Sequence, residues 1–331
     1  MKAIPTGARM RAFRAVAAIG LLAAAAAARS AGDETAFVQV ANAGANTITF
    51  YHLDANGDAA PSTRIGGPKT RLDAPQRVFP VTGVRLYVAN RGDDSITGYP
   101  YGQTGDVAPT VIIAGPRTGI HGPTAIQLDR DQNVWVTNGA SDALDGFAPD
   151  ANGDVAPRYH IAGSKTGLDR PASFHISFRT GEIYVANRGS NAIVVFAAGS
   201  DGNVAPETRI AGPKTGLSAP AQLEQDGQGH LWVANPGGRD LLEFANGASG
   251  NVAPIAVLTI AGAAGFHPYG IAFDTHDVLI VSDPVAQTLY RFAPQSHGAA
   301  RPQAIVRGRR TGLATPLELG IPQPIATPIP N

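Results

Sequence analysis

The pentapeptide "VQVAN" ends at Asn42 and returns as "LYVAN" at Asn90, "VWVTN" at Asn138, "IYVAN" at Asn187, "LWVAN" at Asn235 and "LIVSD" at Asp283. The intervals are 48, 48, 49, 48 and 48 residues. No other feature restricts the fold as strongly, because a fixed period of this length makes each copy a supersecondary unit that buries its faces only against its neighbours. Nine residues after each anchor stands an aromatic: Tyr51, Tyr99, Phe147, Phe196, Phe244 and Phe292. A turn signal follows ("GDAAP", "GDVAP", "GDVAP", "GNVAP", "GNVAP", then the degraded "HGAARP"). After it comes an apolar segment ending in "GPKTRL", "GPRTGI", "GSKTGL", "GPKTGL", the worn "GAAGF" and "GRRTGL". A proline then opens another alternating apolar segment, at Pro75, Pro123, Pro171, Pro220, Pro268 and Pro316.

Each period therefore holds four short alternating segments separated by Gly, Pro, Asn and Asp, the content of one four-stranded blade. Six copies predict an all-β, six-bladed β-propeller. The 39 glycines and 26 prolines suit a chain punctuated by turns and argue against a helical one. The first copy lacks its own Pro-led strand, whereas "PLELGI" at Pro316 to Ile321 is such a strand with no blade after it. The C-terminal strand is thus expected to complete the first blade and close the ring. The expected organisation is a signal peptide over residues 1–31 with cleavage near 28–31, one propeller domain over 32–321, and a Pro-rich tail over 322–331.

The leader is read from Lys2, Arg9, Arg11 and Arg14 ahead of an apolar run from Ala15 to Ala28, with Met10 an equally good start. The run is too short for a confident membrane span. Removing residues 1–28 takes four basic residues and no acidic one, leaving 22 basic against 26 acidic, a net charge of −4. The protein is expected to be exported, periplasmic or extracellular, and monomeric, with no membrane span in the mature chain. Without cysteine it can hold neither a disulfide nor a lipidated thiol. The balanced charge offers no basic surface for phosphates, so nucleic acid is excluded as a partner.

The anchors and their spacing resemble NHL-repeat propellers, with some likeness to YVTN repeats in "VWVTN" and "IYVAN". The resemblance covers roughly residues 37–321. It implies the propeller fold, but propellers of this kind include secreted enzymes, sugar-lactone hydrolases and interaction scaffolds. What recurs in every copy is better explained by what every blade needs. The Asn/Asp series is expected to cap the turn into the third strand, and the aromatics to fill the core. Trp135 and Trp232 should pack between blades. "DANGD" at Asp54 and Asp150 starts like an EF-hand loop but lacks its Gly and its bidentate Glu, and reads as Asn-Gly turns. Arg91-Gly92-Asp93 lies in an ordinary turn, and "GPKTGL" is a connector rather than a phosphate loop.

Function should sit where the copies differ. Side chains two and four residues after each proline share one side of the strand nearest the axis. The second place holds Arg77, Ala125, Ser173, Gln222, Gly270 and Glu318; the fourth holds Phe79, Gln127, His175, Glu224, Ala272 and Gly320. Arg77, Gln127, His175, Gln222, Glu224 and Glu318 are therefore the candidate ligand-binding set. Arg77 would clamp an anion, His175 would act as base or metal ligand, and Glu224 as acid/base or ligand; the bland alternative is a wet polar channel. His121 and His267, in connectors just before Pro123 and Pro268, join His175 and Glu224 as candidate ligands for a divalent metal ion. Against the axial carboxylate-and-amide cluster that the resemblance implies for lactone-hydrolysing metal propellers, Arg77 adds a charge that would repel a cation. No nucleophile elbow, His-Glu-x-x-His helix or Cys-His pair occurs. The expected function is recognition of a protein, peptide or carbohydrate through the top face or axial channel, with a metal-assisted hydrolase or lyase as the alternative.

Overall fold

The computed structural model describes residues 37–262 and 265–322. The expected leader and all but the first residue of the expected tail lie outside them. Among the described residues every element is a strand, arranged as six sheets that are antiparallel apart from one parallel pairing at the edge of the fifth. The second blade shows the plan: Pro75–Val81, Arg85–Asn90, Ser95–Pro100 and Val111–Ile113, laid side by side in chain order from the axis outward. The innermost strands, Pro75–Val81, Pro123–Leu128, Pro171–Ile176, Leu223–Gln225, Ile271–Phe273 and Pro316–Gly320, each pack on the next around the circle, and the last packs on the first. This is the closed six-bladed propeller.

The closing strand behaves as its sequence requires. Pro316–Gly320 pairs antiparallel with Phe37–Asn42, in the register Val40 to Leu319 and Asn42 to Pro316, with a bulge between. Leu319 and Ile321 enter one cluster with Val38, Val40, Tyr51 and Ile280, so the first blade's core is built from both ends of the chain. The six repeated aromatics are all at most 1% exposed. Each then contributes roughly 1.5–3 kcal/mol of burial, which is reason enough for one in every blade. Trp135 stacks on Tyr159 at 5.3 Å, and Trp232 meets Phe273 of the neighbouring blade edge-on at 5.8 Å.

The repeated Asn works differently from the expected turn cap. Its side-chain carbonyl accepts the backbone N–H of the connector entering the blade's own first strand: Asp73 on Asn90 (3.3 Å), His121 on Asn138 (3.0 Å), Asp169 on Asn187 (3.2 Å), Ser218 on Asn235 (2.6 Å). Its amide donates onward to the third strand, as Asn42 does to Thr49 at 2.8 Å. Only Asp283 caps its own turn, accepting from Val285 and Ala286. The reason is steric economy: a fully buried amide next to the connector has donors and acceptors on two sides that must be met.

The "DANGD"-type segments are not plain hairpin turns either. Asp58, Asp106, Asp154, Asn203 and Asn251 each accept the backbone N–H of the basic or preceding-blade residue in a "GPKTGL" connector: Arg310, Lys69, Arg117, Lys165 and Lys214, at 2.7–2.8 Å. The two motifs are halves of one clasp between neighbouring blades. Inside each connector the Thr hydroxyl donates to the Gly three residues back, as Thr70 does to Gly67 at 2.7 Å. Gly67 has φ 133°, and a Cβ there would stand 2.5 Å from the Asp106 carboxyl carbon, so only glycine permits the approach. Between the fifth and sixth blades the clasp is missing: Ala299 takes the acidic place, and a short parallel ladder, Leu258–Ile260 on Gly298–Ala300, substitutes for it.

Candidate functional site

The innermost strands bring four of the six axial candidates together. Arg77 of the second blade reaches across the ring, its Nη1 3.2 Å from Glu318 Oε2 and 3.5 Å from Ser173 Oγ, its Nη2 3.6 Å from Glu224 Oε2. His175 Nδ1 lies 3.1 Å from Glu224 Oε1. Arg77 and Glu318 are only 4% and 1% exposed, whereas Glu224 keeps 21% of its side chain open. The expected anion clamp is thus already held by two internal carboxylates. Arg77 Nε, Glu318 Oε1 and His175 Nδ1 are buried without a hydrogen-bond partner, so the network is charged but not saturated.

Gln127 and Gln222 have another role. Gln127 exchanges two hydrogen bonds with the backbone of Ile176 in the next blade. Gln222 accepts from Ile271 and Leu319 N–H and donates to the Leu319 carbonyl. Both amides are spent bridging innermost strands, where a blade closest to the axis has no further strand to pair with. His121 and His267 stay at the rim. His121 is 63% exposed and faces Asp94 at 3.1 Å; His267 Nδ1 lies 3.0 Å from the Gly265 carbonyl. Among the described residues neither joins a group of three metal-ligand side chains.

A cavity of about 260 Å³ opens onto this axial set, lined by Arg77, Phe79, His175, Phe178, Arg179 and Glu224 among others. Its outer wall is Ser177 to Arg179 and Gln225 to Gly229, the hairpins joining first and second strands. It therefore opens on the face opposite the "VAN" turns, not on the face where the connectors led us to expect a ligand. Fourth-place side chains lie further along the strand than second-place ones and so approach that opposite end.

Electrostatics separate the two buried carboxylates. Burial pushes Glu318 up from 4.5 to about 7, against the pull of Arg77. Burial would also raise Glu224, but His175 and Arg77 together outweigh it and hold its carboxyl below the usual value. The signs of the resulting pH effects are opposite. The share of stability tied to neutral Glu318 is complete below pH 4.5 and declines as pH rises to about 7, by roughly 3 kcal/mol at most. The share tied to ionised Glu224 is present above its ordinary value and is lost on acidification below it. Thermal unfolding should therefore show higher stability at pH 5 than at pH 8, and Glu318→Gln should flatten that difference. An unchanged pH slope in Glu318→Gln would assign it to other groups.

At the other mouth of the ring, Arg188 lies over the Tyr269 ring with its guanidinium carbon 5.9 Å from the centroid. Burial raises the Tyr269 hydroxyl, Glu318 adds to this, and Arg188 and Arg91 oppose it. Arg91 and Arg188 are exposed, each just after a "VAN" strand.

Residues 22–236 match the family model described as lactonase, 7-bladed beta-propeller. The chain belongs to that family. This lactonase-family propeller closes with six blades rather than the seven of the description. No curated protein sequence matches it. Similar solved structures include virginiamycin B lyase from Staphylococcus aureus, with TM-score 0.56, 14% identity and 78% of each chain covered. A candidate 6-phosphogluconolactonase from Bacteroides uniformis gives TM-score 0.57 and 14% identity, covering 86% of this chain and 84% of that one. A nidogen/laminin complex gives 0.62 and 13%, covering 86% and 97%. At these identities the likeness is one of fold.

Proposed function

We propose that this lactonase-family propeller is an exported hydrolase or lyase that performs proton-transfer chemistry on a small polar substrate in the axial cavity. The observation that carries this reading is the His175–Glu224 pair in the wall of that cavity. A carboxylate 3.1 Å from one ring nitrogen, at the wall of a cavity, is the pairing that a histidine general base uses. The other parts fit the role. Phe79 and Phe178 supply apolar wall, and Arg179 gives a cation at the mouth for a carboxylate or phosphate on the substrate. The family supports a lactone as substrate class. A divalent ion acting with His175 and Glu224 fits poorly, since Arg77 already stands 3.6 Å from the same carboxylate. The repeats remain read as NHL- and YVTN-like units on the strength of their "VAN" strands.

Recognition of a protein, peptide or carbohydrate without turnover is the second reading. It is favoured by the opposite mouth, where Arg91 and Arg188 are exposed around Tyr269. One experiment separates the two. The purified protein is offered a panel of γ- and δ-lactones, sugar-derived ones included, and ring opening is followed by proton release. We expect turnover of at least one compound, and a loss of about 10²-fold or more in kcat/KM in both His175→Gln and Glu224→Gln. Turnover that persists in His175→Gln would overturn the assignment. A compound bound but never opened, and released by Arg91→Ala and Arg188→Ala only, would support the binding reading instead.

A further inference from the structure

A second and larger cavity, about 500 Å³, lies between the fifth and sixth blades, with Asp226 on the wall it shares with the axial cavity. Five potential ligand side chains line it, Asp226, His230, Glu243, Asp277 and His297, of which the first three and His297 stand close together. His230 Nδ1 is 2.8 Å from Glu243 Oε1 and 3.5 Å from Asp226 Oδ2, and His297 Nδ1 is 3.7 Å from Glu243 Oε2. The ligand atoms of Asp226, His230 and Glu243 all fall within 4.8 Å of one another. Donors around a tetrahedral zinc ion, at about 2.0–2.1 Å from the metal, stand about 3.3 Å apart. The observed separations bracket that value.

Burial marks these groups as more than a solvated acidic patch. The Glu243 side chain is 7% exposed, and its Oε2 has no hydrogen-bond partner. His230 Nδ1, 2.8 Å from Glu243 Oε1, is likewise buried and makes no hydrogen bond. An unpartnered carboxylate oxygen at this depth is costly unless a proton donor or cation meets it. Asp226 is oriented by the Trp232 indole N–H at 3.1 Å and by the His230 backbone N–H at 2.9 Å. His297 stacks on Trp232, with planes 12° apart. Such outer contacts fix the ligands of a metal before it arrives.

The repeat shows which members are additions. Asp226 has counterparts in Asp129 and Asp274, which cap the same hairpin, so the turn alone accounts for it. Glu243 instead occupies the place held elsewhere by Phe50, Gly98, Gly146, Val195 and Arg291. The blade plan requires no carboxylate there.

We propose that Asp226, His230 and Glu243, with His297 beside Glu243, form a binding site for a divalent transition metal of the zinc type. Imidazole nitrogen and carboxylate oxygen are donors that zinc takes, and the cavity beside them leaves room for water or a ligand oxygen at a remaining position. The site does not depend on the axial reading.

The test uses Zn²⁺ alone, with equilibrium dialysis and metal quantification, and indole fluorescence in a Trp135→Phe background so that Trp232 is the reporter. We expect one equivalent bound and a change in Trp232 emission. Affinity should fall by about 100-fold or more in Glu243→Gln and in His230→Ala, since even an outer partner of a ligand is worth roughly 10- to 100-fold. His175→Gln should bind as the parent does, which separates this site from the axial one. Circular dichroism identifies any variant that fails to fold, and His297→Ala, at a half-exposed position, then carries the comparison. Zn²⁺ binding that is absent, or equal in parent, Glu243→Gln and His297→Ala, would overturn the proposal.

Discussion

A chain ended at Thr315 is expected not to fold. It loses Leu317, Leu319 and Ile321, which are 8%, 1% and 5% exposed, worth roughly 5–9 kcal/mol of burial together. That alone approaches the roughly 5–15 kcal/mol by which a native domain is stable. It also strips the ladder from Phe37–Asn42, takes away the backbone groups that Gln222 meets from across the ring, and leaves Ser282 without the Leu317 carbonyl it reaches at 2.5 Å. The damage is not confined to one blade, because an open ring exposes the innermost strands on both sides of the gap. Far-ultraviolet circular dichroism and limited proteolysis should show an unfolded or aggregated product. A chain ended after Pro322, which keeps the whole strand, should behave as the full-length protein does. Cooperative folding of the chain ended at Thr315 would mean that the ring does not need its C-terminal strand.

Arg77→Ala should cost about 3–5 kcal/mol, the range for leaving a buried charge without its partner. The residue is 4% exposed and faces two carboxylates, of which Glu318 is itself 1% exposed. Removing the guanidinium removes what opposes the rise of Glu318, so the acid becomes still harder to ionise in the folded state. The loss should therefore be greater at pH 8 than at pH 5. At neutral pH the melting temperature should fall by roughly 10 °C. Pairing the change with Glu318→Gln should recover part of the loss, because the double variant no longer buries an unmatched charge; a double-mutant cycle measures that coupling. Additive single losses with no pH dependence would show that Arg77 contributes only packing.

The architecture was legible because every demand of a blade is written once per period. The "VAN" strands, the six aromatics and the unpaired "PLELGI" strand each correspond to a backbone or core requirement that the fold repeats. What joins neighbouring blades was not legible. Lys69 meets Asp106 across 37 residues, and neither half of the clasp shows on its own which motif it answers. At the axis, substitution from blade to blade singled out Arg77, His175, Glu224 and Glu318, which the innermost strands bring into contact, since no repeating requirement explains a charge that occurs once. Gln127 and Gln222 belong to the same series, but their strand-bridging bonds were not legible, because an amide in a polar series does not show which neighbouring backbone it meets. The hairpins carrying Phe178 and Arg179, and the pocket around Glu243, lie off the strand nearest the axis, where the copies vary in length and polarity. The carboxylate at a position otherwise held by small, apolar or basic residues was the available signal.

The six junctions of the ring are not fastened alike. Five carry a side-chain acceptor on a neighbouring backbone amide beside a single parallel bridge, and the junction between the fifth and sixth blades carries instead a three-residue parallel pairing and the contact of Trp232 with Phe273. Without the side-chain clasp, that joint is expected to open on heating before the one where the two chain ends meet, and amide hydrogen exchange along Leu258–Ile260 checks this. An ion held by Glu243 and His297 would span that same joint, one donor from each side. Loss of metal would then be felt as a loosening of the whole circle, and ligand chemistry in the outer cleft would be coupled to the integrity of the axis by geometry alone.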